Sequence, residues 1–500
     1  MTNMNPYDSK PTSSPHPGVS GLSLYVPAPR VSLDQWCDWT GAPADKVQAV
    51  VGRSFRMLSP AENVYTMAAS AALRLIESYR IDPERIGMLV LGTESSTDNA
   101  AGAVIVKGML DRALRQQGRK PLSRQCEVPE IKHACLGGMY GLKGALRYAA
   151  CDAGDRVALV IAADVAEYAR GSTGEQTQGA GAVAMLVERD PKLFSVDLSK
   201  TGSAAAYRGA DFRKPMARHF MSEYEVGTRR LHDFPVFNGK YSTLCYLDEV
   251  ISALEAMMAR TGEDAESFYE DVAAVLMHRP YHYLPIQAMA HAIVWSLGKS
   301  ESQAARFDGL CAEAGVDPAT ARAELHAEQD LVELAEAKGP DADPFTSAQK
   351  VAKHYGRTAA FKRFVAEHMS LGTERVKALG NLYTGSLPAW LAAAFTDALG
   401  RQLPLDGRRM LAVGYGSGDA AEAWPLQVCE GWQRAAAGIG FDRALEGAFD
   451  LDRASYESLH DGQSVSADLP RPWGFSIADV GRRVAPNWQD IGIEYYRYAG

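Results

Sequence analysis

Short, continuously apolar runs alternate along the chain with longer stretches whose apolar residues recur at helical spacing. Residues 19–26 alternate like a strand until Pro27 and Pro29 break the pattern, and 32–39 read as a short helix capped by Ser32. Residues 63–80 combine helical spacing with strong helix formers. The run Gly87-Met-Leu-Val-Leu-Gly-Thr follows, with no polar face, as expected of a strand covered on both sides. The alternation continues with a helix over 101–117, a helical run after Cys135, and buried strands over 156–164 and 180–187. In the second half, a helix over 248–260 precedes an apolar strand over 271–277. A helix over 387–399 precedes a strand from Arg409 that ends in a glycine turn at 414–418. Helix, buried strand and polar loop in repetition predict an α/β protein.

Three regions depart from this rhythm. Residues 1–18 are rich in Pro, Ser and Asn and lack an apolar core, so they read as a disordered tail and not a signal peptide. Residues 299–371 are charged and mostly helical (320–337, then 347–370), with Gly339-Pro340 as a break, and read as a solvated helical insertion. Residues from 450 onward hold strand-like pieces and four prominent aromatics, Trp473, Trp488, Tyr495 and Tyr496, with no assignable chemistry.

Composition narrows the class. At 500 residues the chain exceeds a typical single domain, so several domains or one large duplicated fold are expected. With 46% hydrophobic and 23% charged residues it has the make-up of an ordinary soluble globular protein. A net charge of −9 argues against a nucleic-acid surface. No apolar run approaches the roughly 20 residues needed to span a bilayer. The seven cysteines are scattered, without CxxC spacing. They form neither a disulfide framework nor a zinc pattern, and fit a reducing cytoplasm.

The chemistry centres on Cys135, followed by Gly137-Gly138 and a helical run. A cysteine at a tight turn before a helix feels the positive end of the helix dipole, which favours thiolate. Nearby backbone N–H groups would be free to hold an oxyanion. A buried structural cysteine is the equally weighted alternative. Glu94 stands directly after a buried strand, where a partly desolvated carboxylate gains a raised pKa suited to moving a proton. A surface glutamate or a helix cap is its plainer reading. Glycines 171, 174, 179 and 181 lack dinucleotide-site spacing and read best as a turn feeding the next strand. His278 ends a strand as Glu94 does. Pro280 and Pro285 disrupt the helix on which His278, His282 and His291 would have to pair as metal ligands, so no metal is expected.

Several ordered motifs carry a resemblance. Glu94 in GTES, Cys135 in ACLGG, GSTGEQTQGAGAVAML, Asp211-Phe-Arg-Lys-Pro, GKYSTLCY from Gly239, His278-Arg-Pro, GNLYTGS from Gly380 and GYGSG from Gly414 resemble the hydroxymethylglutaryl-CoA synthase family of the thiolase-like superfamily. The similarity runs from about residue 18 to about 418. It implies a duplicated thiolase-like α-β-α-β-α fold: an N-terminal half over 18–190 carrying the nucleophile, and a C-terminal half over 191–500 that includes the insertion at 299–371. It also implies a homodimer.

By this resemblance Cys135 attacks acetyl-CoA, Glu94 removes a methyl proton from the acetyl group, and the enolate attacks acetoacetyl-CoA. His278 orients the second substrate. Asn381 and Ser417 match positions that support the acyl group, and Tyr168 and Thr177 lie in the acyl-binding stretch. No metal or redox cofactor is implied, and mevalonate-pathway isoprenoid synthesis is the expected setting. The family's CoA-dependent members commonly place a lysine where this chain has Tyr283, which cannot supply a positive charge. Arg279 is a candidate to compensate. An acyl carrier protein, as in polyketide β-branching, therefore stays open as the alternative carrier. A decarboxylating ketosynthase is disfavoured by Glu94, and a non-enzymatic scaffold by the joint presence of Cys135, Glu94 and His278.

Overall fold

The computed structural model describes residues 16–96, 101–209, 211–214, 234–236, 238–417, 419–463, 465 and 468–499. Most of the tail expected at the N-terminus lies outside these residues, as do Thr97 and Asp98 of the Glu94 loop, Pro215 and Gly418. Most expected elements are present with modest changes at their ends, but the helix read over 248–260 begins nine residues earlier and runs Gly239–Thr261. The helix read over 63–80 is Val64–Ser78, opened by a reciprocal cap in which Asn63 accepts from the Thr66 N–H and Thr66 accepts from the Asn63 N–H. The strand read over 87–93 is Ile86–Gly92. Ser32 precedes its helix, Leu33–Thr40, without making a side-chain cap.

Ten strands join in one sheet. Its order runs Ala274–Met277, Arg409–Gly416, Ala420–Val428, Phe194–Val196, Gly18–Tyr25, Gly179–Glu188, Val157–Ala166, Ile86–Gly92 and Glu130–Ile131, with Gly202–Ala205 also paired to Ala420–Val428. The two sides of this sheet repeat one plan. On the first, Ile86–Gly92 runs parallel to Val157–Ala166, which pairs antiparallel with Gly179–Glu188. On the second, Ala274–Met277 runs parallel to Arg409–Gly416, which pairs antiparallel with Ala420–Val428. Phe194–Val196 bonds to strands of both sides and joins them.

The apolar runs have no polar face because both faces are covered. Leu89, Leu91, Leu159 and Ile161 pack with the helix Val64–Ser78. Their neighbours Val90, Val160, Val183 and Met185 pack in a second core with the helix Gly137–Cys151. A period of two thus divides each strand between two cores, and burying each such side chain stabilises by about 1.5–3 kcal/mol. The helix after Cys135 touches both halves. Gly141 lies against Val90 and Val160, whereas Leu136 and Met139 lie against Gly414 of the second half. The helix Ser386–Gly400, which follows Asn381, packs on the second-half strands.

Residues 304–368 form five helices: Ala304–Ala314, Pro318–His326, Leu331–Lys338, Thr346–Tyr355 and Ala359–His368. The two long helices expected here are each split by a cap. Asp330 accepts from the Val332 and Glu333 N–H groups, and Thr358 from the Phe361 N–H. Nor is the region merely solvated. Phe307, Cys311, Leu325 and Val351 are buried, and the bare face at Gly298 admits Leu325 and Phe307 to the helix Tyr283–Lys299. Near the C-terminus, Gly474–Val480 pairs antiparallel with Glu494–Ala499. Phe475, Tyr496 and Tyr498 dock this pair on the first-half core.

Candidate active site

Three glycines bring two separate elements together. A Cβ on Gly92 would stand 2.5 Å from the Gly138 nitrogen and 2.6 Å from the Gly137 carbonyl carbon, so strand end and helix start meet backbone to backbone. Ala134 takes a left-handed φ of 40°, uncommon outside glycine, and turns the chain sharply into Cys135. The result places the Cys135 Sγ 3.8 Å from Glu94 Oε2, with the thiol donating to the carboxylate. Cys135 is buried and Glu94 is half-buried.

The electrostatics correct the expectation of a ready thiolate. Burial, followed by the carboxylates of Glu94 and Asp164, pushes the Cys135 thiol well above its ordinary pKa. The oxyanion-holding amides expected here are also largely engaged: Leu136 N–H donates to His133, Gly137 N–H to Ala134, and Gly138 N–H to the Thr384 hydroxyl. The Cys135 amide remains beside the sulfur and opposes the rise in its pKa. Glu94 itself is raised, first by burial and then by Asp164, with Lys214 pulling the other way.

Asp164 was invisible as a functional residue, since it reads as the polar end of an apolar strand. It is fully buried within Val157–Ala166. Its Oδ1 accepts from the Thr93 hydroxyl at 2.9 Å, the Glu94 N–H at 2.8 Å, the Ser95 N–H at 2.9 Å and the Ser95 hydroxyl at 2.8 Å. Its Oδ2 accepts from the Thr384 N–H at 3.1 Å. One carboxylate therefore fixes the Glu94 loop and ties it to the turn after Asn381. Burial raises the pKa of Asp164 and these hydrogen bonds oppose the rise.

The second half contributes His278 at the end of Ala274–Met277. Its N–H donates to Val413 at 2.7 Å and its carbonyl accepts from the Tyr246 hydroxyl at 2.9 Å. The ring lies over Tyr415 at 6.3 Å between centroids, and Nε2 is buried without a hydrogen-bond partner. Burial lowers this histidine to about 3, so the imidazole is neutral. Asn381 is buried in the turn before Ser386–Gly400. Its Oδ1 accepts from the Tyr383 N–H at 2.9 Å and the Ser386 hydroxyl at 3.0 Å, and its side chain adjoins Tyr168.

A cavity of about 400 Å³ opens among residues of both halves, including Tyr168, Thr177, Phe212, Tyr281, Tyr415 and Ser417. Three of the five expected substrate-binding residues, Tyr168, Thr177 and Ser417, thus share its wall. Asn381 stands behind it, donating its N–H to the Thr177 carbonyl at 3.2 Å. The glycine-rich segment ahead of Gly179–Glu188 is a turn, as read. Buried Glu175 holds it by accepting from Gly171 N–H and the Tyr456 hydroxyl. Tyr283 is placed elsewhere: it is 46% exposed at the start of a helix, and Pro280, Tyr281 and Leu284 form the cavity wall in its stead. Arg279 turns inward and donates to the Val376 carbonyl at 2.9 Å, so it does not supply a charge at the mouth.

The three histidines considered as metal ligands do not converge. Among the described residues, the ligand-type atoms close enough to share an ion belong to Asp211, Cys245 and Asp419. Asp211 also takes the Ser242 hydroxyl and Asp419 the Tyr415 hydroxyl. Burial, with Asp419 second, pushes Asp211 up to about 7.

Models of the N-terminal and C-terminal parts of hydroxymethylglutaryl-coenzyme A synthase match residues 14–192 and 207–440. The hydroxymethylglutaryl-CoA synthase of Haloferax volcanii is 30% identical over 403 residues, covering 80% of each chain. The chain belongs to the hydroxymethylglutaryl-CoA synthase family. Its fold is accordingly thiolase-like and its enzyme class that of an acyltransferase. The solved complex of MvaS with 3-hydroxy-3-methylglutaryl coenzyme A aligns with a TM-score of 0.73 at 25% identity, over 97% of this chain and 99% of that one. The HMG synthase of the curacin biosynthetic pathway, solved with acetyl donor-ACP, shares the fold. It has a TM-score of 0.63 and 20% identity over 89% of this chain and 88% of that one. Among the described residues no helix is long and apolar enough to cross a membrane.

Proposed function

We propose that this synthase condenses acetyl-CoA with acetoacetyl-CoA and water to give 3-hydroxy-3-methylglutaryl-CoA, through an acetyl thioester on Cys135. The observation that carries this reading is the 3.8 Å between Cys135 Sγ and Glu94 Oε2. An acetyl methyl on Cys135 is two bonds from sulfur, and so falls within reach of a carboxylate held there. Transfer to Cys135 forms a new sulfur–carbon bond, breaks the donor thioester, and sends a proton to the departing thiol. Glu94 then takes a methyl proton, the enolate attacks the acceptor ketone, and protonated Glu94 returns the proton to the new alkoxide. His278, neutral and with an unpartnered ring nitrogen, polarises the acceptor carbonyl by donating a hydrogen bond. Asn381 and Ser417 support the acyl group, Tyr168 and Thr177 line its approach, and Tyr283 lies at the surface. Water releases the product from Cys135. These steps move only acyl groups and protons, so they call for no metal or redox cofactor.

The setting we assign is a cytoplasmic homodimer whose product feeds the mevalonate route to isoprenoids. Seven free cysteines and the family assignment support this reading. Incubation with acetyl-CoA followed by mass spectrometry tests the central step. One acetyl group on the peptide containing Cys135, absent from the Cys135→Ala variant, is expected. An enzyme that stays unmodified refutes the mechanism.

A second reading takes the acceptor on an acyl carrier protein. It is favoured by exposed Tyr283 and by inward-turned Arg279, which leave the histidine motif without a cation at the cavity mouth. Comparing kcat/KM for acetoacetyl-CoA and for the same group on a carrier protein separates the two. A carrier preference of roughly a hundredfold, about 2.7 kcal/mol, overturns the CoA assignment.

A further inference from the structure

We propose that Asp211, Cys245 and Asp419 form a second site, which binds a divalent ion of the zinc type and braces the cavity wall. One ligand atom from each lies within 4.8 Å of those of the other two. Ligands on a single zinc ion stand about 3–4 Å apart, so small side-chain rotations close the gap. All three residues are buried: Asp211 is 1% exposed, Cys245 0% and Asp419 2%. They come from segments far apart in the chain. Asp211 follows the strand Gly202–Ala205, and Cys245 lies in the helix Gly239–Thr261. Asp419 stands between the strands Arg409–Gly416 and Ala420–Val428. Backbone hydrogen bonds between Ala206 and Asp419 hold the first and third segments side by side.

Two features point to a cation and not to a satisfied polar core. The first is Asp211 itself. It accepts the Ser242 hydroxyl through Oδ1, while its Oδ2 is buried with no hydrogen-bond partner. A carboxylate oxygen left this way costs stability unless a cation or a proton meets it. The second is the balance of charge. The carboxylates of Asp248 and Glu249 adjoin the same cluster, and the cation beside Asp211 among the described residues is Arg208. Its guanidinium is already committed, donating to Asp248 and, at 2.7 Å, to Glu249. Burial, followed by Asp211 and Asp419, also raises the pKa of the Cys245 thiol. Ion uptake therefore forms metal–sulfur and metal–oxygen bonds as the protons held by Cys245 and Asp211 leave for solvent.

The surroundings suit a metal as well. The Ser242 hydroxyl on Asp211 and the Tyr415 hydroxyl on Asp419 orient the two carboxylates, as outer partners of metal ligands do. Ser242 and Tyr415 also line the 400 Å³ cavity, which gives an ion a way in. A thiolate among the donors selects zinc over magnesium or calcium, and three protein donors leave one tetrahedral position for water. No step of the condensation passes through this ion. Its effect is on the wall, where it fixes the segment carrying Tyr415, the ring that lies over His278.

The test uses the whole chain and reads binding without substrate. The enzyme is stripped with a chelator and titrated with Co²⁺, which Zn²⁺ is then used to displace. Uptake of a single ion per chain is expected, with the near-ultraviolet charge-transfer band that Co²⁺ gives on a thiolate. The band should persist in Cys135→Ala and vanish in Cys245→Ser. Asp419→Asn is expected to weaken Zn²⁺ binding by more than about a hundredfold, and Ser242→Ala, which removes only an orienting hydroxyl, by about 10–100-fold. Circular dichroism checks that each variant folds, and Ser242→Ala carries the test should the ligand variants not fold. A wild type that takes up neither ion overturns the proposal. A band that survives Cys245→Ser, or that is lost in Cys135→Ala, overturns it too, since the ion then sits elsewhere. So does an affinity unchanged in both Asp419→Asn and Ser242→Ala.

Discussion

The strand ends that carry Glu94 and His278 occupy equivalent places in the two halves, yet they treat their titratable groups in opposite ways. Each follows a strand that runs parallel to its half's next strand. Glu94 sits in a polar web. The Asp164 carboxylate organises its loop through four donors, and burial first and then that carboxylate raise the pKa of Glu94. His278 sits among Tyr246, Tyr415 and Val413, where burial alone removes its charge. One fold position therefore holds a carboxyl of raised pKa beside a second carboxylate in one half, and a neutral imidazole among rings in the other. The difference lies in second-rank neighbours and not in the topology.

The sharpest way to break this contrast is to delete the proton carrier. Glu94→Ala is expected to slow condensation by roughly 10²–10⁴-fold, the usual worth of a positioned general base. Acetyl loading should persist, because losing Glu94 also removes a negative charge that holds the Cys135 thiol protonated. Separate assays of loading and turnover check this, and equal losses in both would make Glu94 something other than the condensing base. The pH profile follows the same logic. In the proposed mechanism Glu94 works as a carboxylate, and its pKa is raised, so condensation should decline as pH falls through a range above that of an ordinary glutamate. His278 stays neutral down to about 3 and should contribute no limb near neutrality. An acid limb that survives in the His278→Gln variant supports the assignment, and its disappearance there would transfer the limb to His278.

Asp164→Asn probes the web with a smaller effect. It removes the charge that raises Glu94 and turns an NH₂ toward one of its donors, leaving a buried clash of donors that costs about 1–3 kcal/mol. The acid limb should move to lower pH while stability falls, measured together by pH–rate profiles and thermal unfolding. On the opposite side, Tyr246→Phe removes only the hydrogen bond to the His278 carbonyl and should cost about 0.5–1.5 kcal/mol. A loss matching that of Asp164→Asn would mean that the two strand ends are not so differently supported.

Much of this was readable in the chain, for identifiable reasons. Strands such as Ile86–Gly92 and Val157–Ala166 are buried on both faces, and that burial writes itself as an unbroken apolar run. Glu94, Cys135 and His278 stand where such runs stop. The rest depends on contacts between distant segments. Asp164 looks like the first polar residue after a strand, and only the approach of Thr384, 220 positions away, reveals its second carboxylate oxygen at work. The ionisation of Cys135 is set first by burial and then by two carboxylates brought in from elsewhere, none of which the local signal of a helix start reveals. Tyr383 and Phe212 carry no sequence mark of their left-handed backbone. The region 304–368 looked solvated because its charges are local, whereas its burial depends on the bare face at Gly298.

Gly92 and its neighbours Gly137 and Gly138 have a consequence at the level of the gene. Glycine codons share two fixed bases, and every single-nucleotide missense change from them introduces a residue with a Cβ. At Gly92 that atom would enter the backbone of Gly138, where no side chain can swing aside to admit it. The spacing of Glu94 and Cys135 is therefore insulated from gradual change at these glycines, since none of their substitutions can widen it slightly. Change at this place has to be abrupt, which leaves the surrounding loops and the cavity wall as the parts through which lineages can tune the reaction.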